Sequence, residues 1–157
     1  MYRTIIWATD GSDGADAALR EALTLAGLTR GHIVAVHCDQ RLNGRAAGWP
    51  ADPEEDDHRS KIIRKVDALR HDGVDIELVI RRSRHEAADA VAAAAEEFSA
   101  EIIVCGTRGR SGLVGTLLGS FTQRLLHVAK CPVLAVPEPR AVASTAQRDK
   151  VEVGAWS

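Results

Sequence analysis

The sequence predicts an α/β fold with a single open, doubly wound, five-stranded parallel sheet that carries helices on both faces. Short apolar runs alternate with helical patterns along the chain, which is typical of a parallel sheet covered on both sides. The order is strand then helix four times, followed by a fifth strand. The chain has 157 residues, of which 45% are apolar, and this composition suits one domain rather than two. We expect residues 1–137 to form that domain and residues 138–157, which lack an apolar period, to be a flexible tail.

The first two strands and the helix between them are indicated by apolar spacing. Residues 4–9 form a short β-branched run, and the apolar residues after it recur at helical spacing. Ser12 is the expected N-cap of that helix, and the stretch 27–31, which contains two glycines, is expected to end it. A second strand is predicted at residues 32–38.

The middle of the chain is predicted to contain a long loop, a helix and an edge strand. Residues 39–51 have no apolar period and contain glycine and proline, which indicates a loop. A helix should begin with Asp52 as its cap and Pro53 in its first position, and Gly73 should end it. The acidic residues of its first turn suit the helix dipole better than a metal or partner site. Residues 74–81 alternate apolar and polar at their start, which is typical of an edge strand.

The second half of the chain completes the alternation. Ser83 and Glu86 have the spacing of a capping box and predict the start of a third helix. Strands are predicted at residues 101–106 and 132–137. The last helix between them is indicated by apolar residues at helical spacing, namely Leu118, Phe121, Leu125 and Val128.

Composition excludes several classes of function. The 20 basic and 22 acidic residues leave a formal charge of −2, and aromatic residues make up only 4%, so nucleic-acid binding is disfavoured. No apolar run is long enough to span a bilayer, and the start of the chain does not resemble a secretory signal, so we expect a cytoplasmic protein. Cys38, Cys105 and Cys131 are odd in number and far apart. We interpret them as reduced core thiols, because they lack the spacing of metal ligands.

A glycine-rich stretch lies between the fourth strand and the last helix. It contains Gly106, Gly109, Gly112, Gly115 and Gly119. Glycine lets a ligand approach backbone N–H groups, and the start of a helix adds donors and a positive dipole end, so the stretch suits phosphate. It also follows a strand, at the carboxyl edge where open α/β sheets bind ligands. The GxxxxGK[ST] and GxGxxG motifs are both absent. Glycine content alone leaves a merely flexible surface loop as the alternative.

These residues resemble the universal stress proteins, in particular their ATP-binding branch. The phosphate motif of that branch is GxxG, nine residues, then G[ST], and it matches residues 106–109 and 119–120 without gaps. The opening IIWATDGSDGA, the AVH that closes the second strand and the final CPVLAVP are similar too, so the resemblance covers residues 3–137. It implies an adenine-nucleotide alpha hydrolase-like fold with strand order 3-2-1-4-5. It also implies a homodimer and ATP, alone or with magnesium, at the carboxyl edge of the sheet.

The resemblance also implies a set of nucleotide-binding residues. They are Asp10, Cys38, Gly106, Gly109, Arg110, Gly119, Ser120 and Phe121. Asp10 would lie beside the adenine, Cys38 would replace a small aliphatic contact, and Gly106 would face the ribose. The remaining residues would surround the phosphates. Two alternatives stay open from the residues themselves: Asp10 could cap the first helix or its turn, and the loop arginines could simply be solvated.

The function implied is that of an ATP-binding stress-response protein, a nucleotide-dependent dimeric switch. Residues 106–122 contain no lysine and no carboxylate, so hydrolysis should be slow or absent, and we predict neither catalytic nor metal-ligating residues. A cyclic AMP or other adenine-nucleotide binder, an ATP-using enzyme with an unrecognised acceptor, and an interaction module with an empty pocket are the alternatives. His37 is interpreted as a partnered, partly buried residue rather than a general base. The apolar last strand predicts a homodimer interface through Val133, Leu134 and Val136.

Overall fold

The computed structural model describes residues 1–39, 53–82, 86–109 and 118–138. The elements are β1 (Thr4–Ala8), α1 (Asp13–Thr29), β2 (His32–Asp39), α2 (Pro53–His71), β3 (Ile76–Arg82), α3 (Ala87–Glu97), β4 (Ile102–Gly106), α4 (Ser120–Val128) and β5 (Val133–Val136). The predicted alternation of strands and helices is therefore confirmed. Some predictions concern residues outside the described ranges, namely the Asp52 cap, Ser83, Arg110, the loop 39–51 beyond Asp39 and the tail beyond Glu138.

The five strands form one parallel sheet in the order β3-β2-β1-β4-β5. This order confirms the fold class and the edge position predicted for β3. β1 lies at the centre, paired with β2 on one side and with β4 on the other. The chain moves outward from β1 to β3 and then returns to the other side of β1. The carboxyl ends of β1 and β4 therefore flank the point where the direction of winding reverses, where ligands bind in such sheets.

Successive residues of β1 point to opposite faces of the sheet, because side chains alternate along a strand. Ile5 and Trp7 pack under α1 and α2, whereas Ile6 packs under α3 and α4. The indole Nε1 of the fully buried Trp7 donates a hydrogen bond to the carbonyl of Ala15, 2.8 Å away. That bond ties the first turn of α1 to the central strand and so fixes the helix start near the sheet edge.

The ends of the first two helices follow the predicted signals. Ser12 is the N-cap of α1, and its hydroxyl oxygen accepts a hydrogen bond from the Ala15 N–H at 3.2 Å. The helix ends at Thr29, within the expected stretch, although the left-handed residue that follows is Arg30 with φ 53° rather than a glycine. α2 begins at Pro53, as expected, and Gly73 follows its end with φ +85°.

The predicted start of the third helix is wrong. α3 begins at Ala87, and among the described residues the side chain of its N-cap residue, Glu86, makes no capping hydrogen bond. The Glu86 carboxylate lies 3.8 Å from the Nε of Arg124 on α4. Glu86 is therefore the N-cap residue itself, with its side chain near the neighbouring helix, and not the third helical residue that a capping box requires. Among the described residues, no helix is long and apolar enough to span a membrane.

Candidate functional site

A cavity of about 500 Å³ opens at the carboxyl edge of the sheet, a size typical of small-molecule sites. Its wall combines strand ends with the starts of three helices. The lining residues are Ala8, Thr9, Asp10, Ala15, Val36, Cys38, Ala87, Val91, Cys105, Gly106, Arg108, Gly109, Gly119, Ser120 and Phe121. Every predicted nucleotide-binding residue that the structure describes is in this wall, although these residues come from four separate stretches of the chain. Arg110 lies outside the described residues.

Asp10 belongs to a tight turn between β1 and α1. Its Oδ1 accepts a hydrogen bond from the Ser12 N–H at 3.0 Å, and Gly11 between them has φ +79°, a conformation that favours glycine. Ser12, not Asp10, caps α1. The half-buried Asp10 lines the cavity and its carboxylate also caps the turn. Of the alternative that Asp10 caps the first helix or its turn, the helix cap is therefore wrong and the turn is confirmed.

The two loops that form the cavity meet at Asp10 and Gly109. A Cβ placed on Gly109 would lie only 2.9 Å from Oδ2 of Asp10. A side chain at position 109 would therefore push against the carboxylate or enter the cavity, and glycine is the residue that allows this approach. The β1 loop and the β4 loop thus form one continuous wall.

Gly14 is a residue of this region that the sequence analysis missed. A Cβ on Gly106 would lie 2.8 Å from the carbonyl carbon and oxygen of Gly14. A Cβ on Gly14 would in turn lie 2.7 Å from the carbonyl oxygen of Arg108. The first turn of α1 therefore packs backbone to backbone against the end of β4. The sequence contained one signal for this role: a glycine in the first turn of a helix lowers helix propensity, so its presence there suggests a close backbone contact.

Thr122 is a second residue that was missed. Its buried hydroxyl donates to the Gly106 carbonyl at 2.9 Å, and the Gly119 N–H donates to the Thr107 carbonyl at 2.8 Å. These two bonds fasten the start of α4 to the end of β4. The first N–H groups of a helix have no intrahelical acceptors, and the first two residues of α4, Ser120 and Phe121, line the cavity. The helix start is thereby placed where it can bind an anion.

The cysteine thiols near the cavity are protonated and therefore poor nucleophiles. Burial raises the pKa of both Cys38 and Cys105 to about 11, so both are protonated at neutral pH. Cys38 also donates from Sγ to the Ala87 carbonyl at 3.5 Å, which connects the end of β2 to the start of α3. Burial also raises the pKa of Cys131. In the part of the chain that the structure describes, all three cysteines are free thiols.

His37 has a structural role at the base of the site. It is fully buried, more so than expected, and its ring Nδ1 donates to the Thr9 carbonyl at 3.0 Å. This partner agrees with the interpretation as a satisfied histidine rather than a general base. Across residues 1–39, 53–82, 86–109 and 118–138, no three His, Cys, Asp or Glu side chains are grouped as metal ligands.

The fold and the cavity define a class of protein, a doubly wound α/β domain with a ligand site at its topological switch point. The model of the universal stress protein family matches residues 1–137. The chain belongs to the universal stress protein family.

Individual relatives agree with this assignment. The chain is 28% identical over 148 residues to a universal stress protein of Methanocaldococcus jannaschii, with 89% of this chain and 85% of the relative covered. It is similar to the structure of a universal stress protein from Archaeoglobus fulgidus, with a TM-score of 0.69, 27% identity, and 87% and 99% of the two chains covered. It is also similar to a universal stress protein solved in complex with cAMP, with a TM-score of 0.64, 26% identity, and 88% and 99% of the two chains covered.

Proposed function

We propose that this chain is a cytoplasmic stress-response protein that binds ATP in the cavity and acts as a dimeric switch controlled by nucleotide occupancy. The observation that carries the proposal is the pairing of two kinds of group in one cavity. A carboxylate acceptor, Asp10, lies in the turn after β1, and the start of α4 lines the same cavity together with Gly109 and Gly119. An adenine base and a phosphate chain need these two environments, respectively.

The base end of the site is formed by Asp10 and apolar side chains. Val36, Val91 and Cys38 supply a low-polarity wall, because a protonated thiol behaves as a small hydrophobic group. In this proposal the Asp10 carboxylate accepts a hydrogen bond from the exocyclic amino group of adenine. Guanine presents a carbonyl at that place, so it would meet a second acceptor and be rejected. Gly106 would then face the ribose.

The phosphate end is formed by backbone groups. Gly109 and Gly119 leave room for phosphate oxygens, and the N–H groups of Ser120 and Phe121 belong to the unpaired first turn of α4. Arg108 lines the cavity and adds positive charge, and Arg110 is proposed to do the same from the loop. Because backbone donors supply much of this binding, the site holds a phosphate chain without a loop lysine.

Hydrolysis is proposed to be slow or absent. Transfer of the γ-phosphoryl group needs an oriented water and positive charge placed at the transferring oxygens. Residues 106–122 contain no lysine and no carboxylate. The site can therefore bind ATP well and still stabilise the transition state for hydrolysis only a little more than it stabilises ATP. ATP would then act by its presence rather than by its turnover, with magnesium as an ion that accompanies the phosphates.

A homodimer through β5 completes the proposal. Within residues 1–39, 53–82, 86–109 and 118–138, β5 pairs with β4 alone, so its outer edge has no strand partner there, and Leu134 on this strand is 37% exposed. An apolar, unpaired edge favours pairing with another chain, and a two-fold partner would cover it. Val133 and Val136 lie on opposite faces of the same strand and would extend the contact to both sides.

A cyclic AMP binder is the second candidate. It is favoured by the solved relative in complex with cAMP, which is 26% identical to this chain. Such a ligand would use the same base and ribose contacts but fewer of the donors at the start of α4. The two candidates therefore differ mainly at the phosphate end of the cavity.

One experiment separates these functions. The purified protein is denatured, and the released small molecules are identified by chromatography and mass spectrometry. Calorimetric titrations of nucleotide-free protein with ATP, cyclic AMP and GTP, with and without magnesium, then give the affinities. The proposal expects ATP to bind more tightly than cyclic AMP and GTP. Tighter binding of cyclic AMP would move the second candidate to first place, and no adenine-nucleotide binding would overturn both.

A further inference from the structure

One face of α2 lies against the turn that carries Asp10. The Nζ of Lys61 donates a hydrogen bond to the Gly11 carbonyl at 3.2 Å. The ring of His58 covers the α-carbon of the same glycine, since a Cβ placed there would lie 3.1 Å from the ring Nδ1. Residues 58 and 61 are three apart in a helix and therefore share one face. Two side chains of α2 thus meet a single backbone position of the turn.

The turn needs support from outside because of its own composition. Gly11 has φ +79°, and glycine is the residue with the greatest backbone freedom. Two hydrogen bonds hold the turn locally, from the Ser12 N–H to Oδ1 of Asp10 at 3.0 Å and from the Gly11 N–H to Oγ1 of Thr9 at 3.3 Å. Both bonds lie within residues 9–12, so a second constraint comes from another element. Contacts at Gly11 from a neighbouring element supply that second constraint.

α2 is suited to supply it because it is anchored in the core. Ile62 and Val66 are buried, with 2% and 0% exposure, and pack with the residues of β1. Lys65, one turn after Lys61, forms an ion pair with Asp16 of α1. The helix therefore has a fixed position relative to both β1 and α1, which flank the turn.

The contact made by His58 is one of packing. Its Nδ1 is enclosed, and in the part of the chain that the structure describes it has no hydrogen-bond partner. The ring therefore acts by covering Gly11 and not by a hydrogen bond from that nitrogen. Neither His58 nor Lys61 lines the cavity, so any effect of the two on a ligand passes through the turn.

We infer that His58 and Lys61 are positioning residues, which hold the turn at Gly11 in the shape that presents Asp10 to an adenine base. This inference rests on the proposed adenine-nucleotide function and adds a determinant of base selectivity outside the cavity. It predicts that loss of the Lys61 contact weakens ATP binding and narrows the preference for ATP over GTP. A residue that only stabilised the fold would change the melting temperature without changing that preference.

The test compares Lys61→Met with Arg64→Met, measured by calorimetry with ATP and by competition with GTP; the Arg64 Nε donates to the Ser60 carbonyl of α2 itself. Both variants lose one positive charge from the same helix, but only the first loses the bond to Gly11. We expect Lys61→Met to weaken ATP binding by roughly three- to tenfold, the equivalent of one hydrogen bond. Lys61→Arg should restore most of the affinity, and Arg64→Met should bind as wild type does. Equal losses in both methionine variants would indicate a charge effect and overturn the inference, as would an unchanged Lys61→Met.

A second pair of variants tests the contact from His58. His58→Phe keeps a ring over Gly11 and should preserve ATP affinity, whereas His58→Ala uncovers the glycine and should weaken it. Equal affinities in these two variants would contradict the packing role. Asp10→Ala, measured alongside, distinguishes a failure of the proposed nucleotide binding from a failure of the positioning role. If wild type binds no adenine nucleotide, the proposed function fails. If its preference for ATP depends on Asp10 but not on Lys61, only the positioning role fails.

Discussion

Two glycines of α1 should respond in opposite directions to the same substitution. A Cβ on Gly27 would meet nothing within 4 Å, whereas a Cβ on Gly14 would lie 2.7 Å from the carbonyl oxygen of Arg108. Ordinary van der Waals contact begins at 3.4 Å, so the two backbone segments at Gly14 would have to separate by about 0.7 Å. The same helix thus provides a site that accepts a methyl group and a site that resists it.

The magnitudes follow from propensity and packing. Alanine stabilises a helix by about 0.5–1 kcal/mol relative to glycine, and this is the whole effect expected at Gly27. For a chain of this size it corresponds to a rise in Tm of roughly 1–4 °C. At Gly14 the same gain is opposed by overpacking, which costs about 1–3 kcal/mol. The partner atom belongs to the backbone and not to the end of a flexible side chain. We therefore expect the cost of overpacking to exceed the gain in helix propensity, so that Gly14→Ala lowers Tm.

The assay is thermal unfolding followed by circular dichroism on nucleotide-free protein, because bound ligand would shift Tm by mass action. Calorimetry with ATP on the same samples adds a second readout. Arg108 lines the cavity, so its displacement in Gly14→Ala should also weaken ATP binding, whereas Gly27→Ala should bind as wild type does. The reasoning is refuted if Gly14→Ala raises Tm as much as Gly27→Ala and keeps its affinity for ATP.

Four further predictions concern the site, the dimer and pH. Gly109→Val should abolish ATP binding in a folded protein, because the branched side chain meets the Asp10 carboxylate; calorimetry with retained circular dichroism checks this. Phosphate release should stay well below the roughly 1–100 per second of dedicated phosphoryl-transfer enzymes, and a malachite-green assay showing turnover in that range would contradict it. Leu134→Asp should shift the light-scattering mass to that of a monomer, and a wild-type monomer at micromolar concentration would disprove the interface. Burial by itself would lower the pKa of His32, but hydrogen bonds to Glu77 and Asp75 at 3.0 and 2.8 Å outweigh it and raise the pKa above 6.5. The resulting stabilisation is complete below about pH 6.5 and is lost as the pH rises through the raised pKa. The free energy of unfolding, measured with urea at several pH values, should therefore fall over that range in the wild type and not in His32→Gln.

Local signals in the sequence predicted most of the elements of this fold. Helix periodicity, the Ser12 cap and the αL glycine at position 73 depend on residues within a few positions of one another, so they can be read without knowledge of the fold. The same is true of the edge strand β3, whose alternation of apolar and polar residues can be read locally, although most of the strand is half-buried on both faces. The start of α3 was predicted wrongly because Ser83 and Glu86 have the spacing of a capping box, whereas Glu86 has extended backbone angles and is itself the N-cap residue. Its exposed side chain lies 3.8 Å from Arg124 on another helix, 38 positions away, a contact that no local pattern encodes.

The candidate site shows the same division. The spacing of glycines between β4 and α4 indicated a phosphate-binding segment, because the donors of a loop and a helix start are contiguous in the chain. The approach of Gly14 to Gly106, the anchoring of α4 by Thr122 and the contact of Lys61 with Gly11 could not be predicted in this way. The approach of Gly14 to Gly106 and the contact of Lys61 with Gly11 join segments far apart in sequence. The first exists only once the strand order 3-2-1-4-5 brings the carboxyl ends of β1 and β4 side by side. The Thr122 bond spans 16 positions and requires the start of α4 to fold back on the end of β4. The sequence by itself determined the elements and the glycine-rich segment, through interactions of short range. The tertiary structure alone decided which backbone atoms touch around the cavity, because that depends on how a whole sheet is assembled.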